Sequence, residues 1–291
     1  MMDAKIKLDK VTLKFGKFEA LKNLTLALES NKIHGLIGRN GAGKTSLLSL
    51  IAAFRETTEG EIAIDGEPVF ENPDKMLQVS FNYNKDYKEE YEKIPQYLEF
   101  PEYYRPNYDK EYADYLLKRF KLPLDKPISK LSKGMQSALN AVIGLASRSP
   151  ITIFDEAYVG MDAPAREIFY QEILADQAKH PRTFILSTHL VSEMDYLFDQ
   201  VIIIDQGRLV LNEEYETVAS RGASVTGAAD QVDAYVAGMN VLTEQKLGGT
   251  KSVMVYGALG EEDQQKAHQL GLEIGPVSLQ DLFIHLTEEA H

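Results

Sequence analysis

The residues with the plainest chemistry are eight in a row, Gly38-Arg39-Asn40-Gly41-Ala42-Gly43-Lys44-Thr45. They fit the pattern G-x-x-x-x-G-K-[ST]. They also lie between the apolar run Ile33-His34-Gly35-Leu36-Ile37 and a helical pattern over Ser46–Phe54. Glycines let backbone N–H groups converge on phosphate oxygens that a Cβ would hold off, and a helix N-terminus adds partial positive charge. Lys44 brings a full charge to the end of a polyphosphate, and the Thr45 hydroxyl is suited to ligate Mg²⁺. A second set, Ile151-Thr152-Ile153-Phe154-Asp155-Glu156, ends an apolar strand in two adjacent carboxylates. At the carboxyl edge of a sheet, Asp155 can join a Mg²⁺ shell and Glu156 can polarise an attacking water. His189 follows the strand pattern Thr183–Ser187 and can donate a hydrogen bond to a terminal phosphate or position that water. Leu131-Ser132-Lys133-Gly134-Met135-Gln136 opens a long helical pattern through Ala146, where Ser and Gly present free N–H groups to an anion. Taken singly, the acid pair reads as readily as surface residues, His189 as a structural histidine and Ser132 as an ordinary N-cap. Their order along the chain turns them into one site.

The elements that must position these residues follow from hydrophobic patterning. Ile6, Leu8, Val11 and Leu13, then Leu24, Leu26 and Leu28, alternate with polar residues and predict an antiparallel layer with one wet face. Ile33–Ile37, Ile151–Phe154, Thr183–Leu186 and Val201–Ile204 are short and nearly all apolar, which predicts parallel strands covered on both faces with helices between them. Asp65-Gly66 suits a tight hairpin turn. From Asp74 to about Lys130 the composition shifts: nine of the fifteen tyrosines fall between Tyr83 and Tyr115, interrupted by Pro95, Pro101 and Pro106. An inserted, mainly helical subdomain is expected over about 74–147, its tyrosines forming either its own small core or a docking face. After Tyr215 the order β-α-β-β-α-β with a closing helix predicts a small open-faced sandwich. The expected division is therefore 1–215 and 216–291.

Composition bounds the function. The chain has 291 residues, a formal net charge of −13 and a pI near 5.0, and it has no cysteine. The acidic balance argues against a nucleic-acid partner, because affinity for phosphate backbones comes from clustered Lys and Arg. Thiolate chemistry and Cys-held metal centres are excluded. Met1–Lys7 carries charges where a signal peptide needs an apolar core, and no stretch reaches the roughly 18–20 apolar residues of a membrane helix.

Together these motifs resemble the ATP-binding-cassette (ABC) ATPase family over residues 4–215, with the α/β P-loop NTPase fold, an antiparallel β layer, a helical insert and here a small C-terminal α+β appendage. In that family Gly38–Thr45 is the P-loop and Ser46 follows it. Ile151–Asp155 is the Walker B strand, Glu156 the catalytic glutamate and His189 the switch histidine. Leu131–Met135 corresponds to the signature and Gly160-Met161-Asp162 to the D-loop. The resemblance makes Phe15 the aromatic that stacks on adenine and Asn84 the counterpart of a Mg²⁺-contacting glutamine, with Gln78 a weaker alternative. Ser132, Lys133 and Gly134 would then contact the nucleotide of a second cassette. Three departures stand out: Ser-Lys-Gly-Met in the signature, Asn at the glutamine position, and Ala157 where proline is usual. The resemblance implies ATP and Mg²⁺ as ligands and a homo- or heterodimer of cassettes. It also implies a separately encoded transmembrane permease and a place on the cytoplasmic face of the membrane. Leu131–Met135 and Val277–Phe283 are similar to export ATPases of the bacitracin-resistance type. Two other readings are a soluble ABC ATPase without a transport role and a weakly hydrolysing nucleotide-dependent regulator.

Overall fold

The computed structural model describes residues 5–257 and 259–288. The chain divides into two compact units, residues 1–189 with 204–209 and residues 190–203 with 210–291.

In the first unit β1 (Ile6–Phe15) and β2 (Phe18–Leu28) form an antiparallel hairpin, and β1 pairs on its other side with β4 (Glu59–Ile64). β5 (Glu67–Pro68) closes this layer in the order β2-β1-β4-β5. The β4–β5 turn uses Asp65 and Gly66, both at positive φ (55° and 82°), the conformation that makes Asp-Gly a hairpin signal. The alternation expected for this layer is present: Ile6, Leu8, Leu24, Leu26 and Leu28 are buried, with exposed residues between them.

The second layer is parallel. β3 (Ile33–Ile37) pairs with β8 (Thr183–Thr188), β8 with β7 (Ile151–Asp155), and β7 with β6 (Val79–Tyr83). The first three are buried at every residue, as runs covered on both faces must be. β6 corrects the expected insert, which begins in sequence at Asp74 yet contains this strand of the sheet. The helices of the unit are α1 (Lys44–Ile51), α2 (Pro73–Met76), α3 (Ile94–Tyr104), α4 (Lys110–Arg119), α5 (Lys133–Ala146) and α6 (Ala163–Lys179). α5 lies very close to β7: a Cβ on Gly144 would come within 2.5 Å of the Phe154 ring. Phe154 packs edge-on to Phe169 of α6 (5.0 Å) and parallel to Phe184 of β8 (6.4 Å).

The second unit holds α7 (Val191–Met194), most of β9 (Gln200–Asp205) and β10 (Arg208–Glu214), and α8 (Tyr215–Ala219). Its remainder runs β11 (Gly222–Ala228), α9 (Ala229–Tyr235), β12 (Asn240–Leu247), β13 (Thr250–Tyr256), α10 (Glu261–Gln269), β14 (Glu273–Pro276) and α11 (Leu279–Glu288). This is the expected β-α-β-β-α-β order with a closing helix. The antiparallel sheet β12-β13-β11-β14 buries Val225, Val253 and Val255 with Val232, Tyr235, Ala267 and Leu272.

Candidate functional site

Strand register assembles the site. Ile37 pairs with Thr188, Ser187 with Asp155, and Asp155 with Tyr83, so the residues just beyond β3, β8, β7 and β6 emerge along one carboxyl edge. That edge is where ligands bind in open α/β sheets. A cleft of about 540 Å³ opens there, lined by Asn40, Gly41, Gly43, Lys44, Thr45 and Ser46 from the loop and α1. Asp155, Glu156, Asn84, Tyr83 and Val159 complete its inner wall, and Phe18 and Ala20 of β2 its outer one.

The loop takes its shape from glycine. Gly41 and Gly43 have φ of 84° and 108°, and nothing lies within 4 Å of where a Gly41 Cβ would be, leaving room for an incoming group. Gly43 approaches β2 so closely that a Cβ would fall 2.9 Å from the Ala20 carbonyl oxygen. Lys44, buried, donates from Nζ to the Gly38 carbonyl (2.7 Å) and the Arg39 carbonyl (3.4 Å), folding the loop around itself. Ala42 N–H bonds the Arg39 carbonyl and completes the turn. Gly38, Arg39 and Ala42 therefore shape the cradle from behind rather than line it.

Thr45 Oγ1 donates to Asp155 Oδ2 at 2.7 Å, and Ser187 Oγ donates to the other carboxylate oxygen. Among the described residues no cluster of three or more His, Cys, Asp or Glu could hold a metal ion. A hydroxyl and a carboxylate in contact are instead the sparse oxygen set that suits Mg²⁺ carried in on phosphates, with Asn84 on the same wall. Thr45, Asp155 and Asn84 would hold it. Gln78 is excluded from that role, since it precedes β6, at the opposite end of the strand from Asn84.

Glu156 adopts a left-handed backbone (φ 48°), unusual for a non-glycine residue, and its N–H donates to Ser187 Oγ (3.0 Å). Its Oε1 sits 3.4 Å from Lys44 Nζ and 3.2 Å from His189 Nδ1. The acid, the lysine and the histidine singled out in the sequence thus meet at one oxygen atom.

Phe15 does not line the cleft. It pairs with Phe18 across the two-residue turn Gly16-Lys17, and Arg55 lies over its ring at 5.1 Å. Phe18, 64% exposed, provides the aromatic surface of the cleft. The cue that finds it is the hairpin register, which places two phenylalanines side by side. Tyr158 was also missed. Its hydroxyl is 3.2 Å from His189 Nδ1.

Ser132, Lys133 and Gly134 stand outside this cleft. Ser132 caps α5 by accepting from Met135 N–H (3.2 Å), and Lys133 Nζ donates to the Lys85 carbonyl (3.4 Å). Gly134 abuts the D-loop, where a Cβ would lie 2.3 Å from the Gly160 carbonyl oxygen. Asn140 of α5 ties in the Asn84 segment: its Nδ2 donates to the Tyr83 carbonyl (3.1 Å), and its Oδ1 accepts from the Tyr87 hydroxyl. Burial pushes the Tyr87 phenol well above its ordinary range, keeping it a neutral donor.

The ABC transporter family model matches residues 21–159. The ABC transporter ATP-binding protein YtrB of Bacillus subtilis (strain 168) is 27% identical over 206 residues, covering 68% of this chain and 70% of its own length. The uncharacterized ABC transporter ATP-binding protein YcbN of the same organism is 25% identical over 289 residues, 92% of each chain, and so spans the C-terminal elements as well. Export and import ATP-binding proteins both occur among the relatives. In fold, the ATP-binding cassette MJ0796, in a dimeric post-hydrolysis state bound to ADP and Pi, superposes with a TM-score of 0.63 at 20% identity. That match covers 72% of this chain and 98% of the other.

Proposed function

We propose that the chain is an ATP-binding ATPase subunit of the ABC transporter family, which its family-model match and relatives support, and the motor of an exporter working by ATP-driven closure of two cassettes. The observation that carries the hydrolytic part is the meeting of Lys44 Nζ and His189 Nδ1 on Glu156 Oε1, beside a glycine cradle that fits a triphosphate. In this reading the loop N–H groups and Lys44 bind the phosphates, and Phe18, paired with Phe15 across the hairpin, forms the aromatic edge where the base rests. Glu156 takes the proton of the attacking water, and His189 donates to the terminal phosphate. Mg²⁺, when bound, neutralises charge on the phosphate oxygens. Lys44 neutralises Glu156 while the cleft lacks phosphate; a triphosphate draws Lys44 away and leaves the carboxylate free to act as base.

Ser132, Lys133 and Gly134 lie away from their own chain's cleft, which supports their reading as the cap on a second cassette's nucleotide. Export is supported by the likeness of Leu131–Met135 and Val277–Phe283 to export ATPases. Among the described residues no helix is long and apolar enough to cross a membrane, so passage falls to a separate permease, docked from the cytoplasmic side. Exposed aromatics in the first unit, Phe54 packed on Phe81 and Tyr83, and Tyr103 and Tyr104 of α3, are the surfaces we assign to that partner. Residues 1–215 act as the ATPase and 216–291 as a dimer-stabilising or regulatory appendage.

Replacing Glu156 by Gln tests the reading. ATP turnover falls about 10²- to 10⁴-fold, the usual worth of a general base, and ATP traps a dimer visible by size-exclusion chromatography. Wild-type turnover no faster than that of this variant would overturn it.

A further inference from the structure

The C-terminal sheet, in the order β12-β13-β11-β14, ends on two unlike edges. β14 (Glu273–Pro276) is short and ends in proline, which offers no N–H, so that edge is blunted against pairing. β12 (Asn240–Leu247) is twice as long and has no proline, and its Glu244, Gln245, Lys246 and Leu247 are exposed. His285 of α11 meets the Tyr256 ring at 5.3 Å, and Tyr256 lies opposite Asn240, at the far end of the strand from these residues. A register shift between Val241 and Thr243 interrupts the ladder, leaving residues 243 to 247 as its regular stretch.

The two-residue turn Gly248-Gly249, with Gly248 at φ 60°, closes the hairpin on the pair Leu247 and Thr250. That closing pair exchanges hydrogen bonds inside the hairpin, and the pattern alternates from there. Gln245 therefore also turns its N–H and C=O toward β13, while Glu244 and Lys246 turn theirs outward. A strand added to this edge bonds through Glu244 and Lys246. Self-pairing can then set Glu244 on Glu244, Lys246 on Lys246, or Glu244 on Lys246. The first two place like charges opposite each other; the third places opposite charges together twice, about a two-fold axis through Gln245. The hairpin itself favours the third. Lys246 stands directly opposite Lys251, a repulsive placement, and Lys251 Nζ already holds Asp233 (2.7 Å) and Glu244 (2.6 Å). A second carboxylate beyond Lys246, on the same face, relieves it.

We propose that the outer edge of β12 pairs antiparallel with β12 of a second copy, Glu244 of each facing Lys246 of the other. The two C-terminal sheets become one. Leu247, 87% exposed, then faces Thr243 of the second copy on the opposite face of the sheet. The proposal rests on the reading of residues 216–291 as a dimer-stabilising appendage and supplies its contact.

The chain has no cysteine, so Gln245→Cys supplies its only thiol. In the full chain without nucleotide, copper–phenanthroline should link this variant into a disulfide dimer. Residues facing each other across paired strands lie about 4.5–5.5 Å apart at Cα, within disulfide reach. Thr243→Cys should not link, because the same register sets the two copies of residue 243 roughly 13 Å apart along the strands. Sedimentation of the wild type should show self-association in roughly the micromolar range, as a small interface supports. Glu244→Lys and Lys246→Glu should each weaken it about tenfold, and mixing the two variants should restore it. Gln245→Cys linking no faster than Thr243→Cys overturns the pairing. So does a monomeric wild type, or self-association indifferent to both charge reversals. Pairing that holds while Glu244→Lys leaves the ATP-trapped Glu156→Gln dimer equally tight would sink the dimer-stabilising reading alone.

Discussion

At the scale of single residues, Lys44 is the most heavily used side chain. It is a buried cation that neutralises Glu156 and closes the loop through two carbonyls. Lys44→Ala removes the charge proposed to meet the phosphates and leaves Glu156 without its neighbouring cation. Affinity for MgATP by calorimetry should fall at least about 100-fold, since charge-assisted bonds to phosphate contribute about 1.5–3 kcal/mol each and more than one is lost. Unchanged affinity would remove the polyphosphate site. Most of this chemistry was legible in the sequence, because a phosphate cradle needs consecutive backbone groups and therefore a contiguous motif. Phe18 and Tyr158 were not legible. Each meets a partner that pairing or folding brings near, Phe15 across a hairpin and His189 from the end of the next strand along the chain.

At the scale of elements, α5 organises the unit. Its first turn carries the signature, Asn140 in its middle holds both Tyr83 and Tyr87, and Gly144 lets it seat on Phe154 of β7. Tyr87→Phe leaves the Asn140 oxygen buried without its donor and should cost about 1–3 kcal/mol of stability. Denaturant unfolding reads that loss. Proteolysis between Asn84 and Lys93 should speed up as the segment loosens. The parallel strands β3, β7 and β8 were read correctly because they are short, nearly all apolar runs. β6 escaped notice because Val79-Ser80-Phe81-Asn82-Tyr83 alternates like a half-wet strand. Ser80 and Asn82 are in fact buried, Asn82 Nδ2 donating to Ser80 Oγ and to the Ile153 carbonyl, both at 3.2 Å. A polar residue satisfied by its neighbours is invisible to a reading that equates burial with hydrophobicity.

At the scale of the whole molecule, the tyrosine-rich insert serves two ends. Tyr87 and Tyr112 turn inward, Tyr112 bonding Glu172 at 2.9 Å, while Tyr91, Tyr103 and Tyr104 are exposed. Replacing Phe54, Tyr103 and Tyr104 together by serine should leave nucleotide affinity unchanged and abolish recovery of a multi-spanning protein when the chain is affinity-purified from membranes. Equal recovery would move the docking face elsewhere. The C-terminal βαββαβ order was readable because Gly- and Ala-rich turns punctuate it. Its purpose was not, because folds of this kind carry many functions.

The close approach of Gly134 to the Gly160 carbonyl leaves no room even for a Cβ between the turn proposed to roof a neighbour's nucleotide and the loop leading away from Glu156. A displacement at one must be handed to the other as a push, since backbone against backbone cannot yield as a side chain does. If two copies pair as proposed, they would keep count of each other: splitting one triphosphate would report on the grip around its twin.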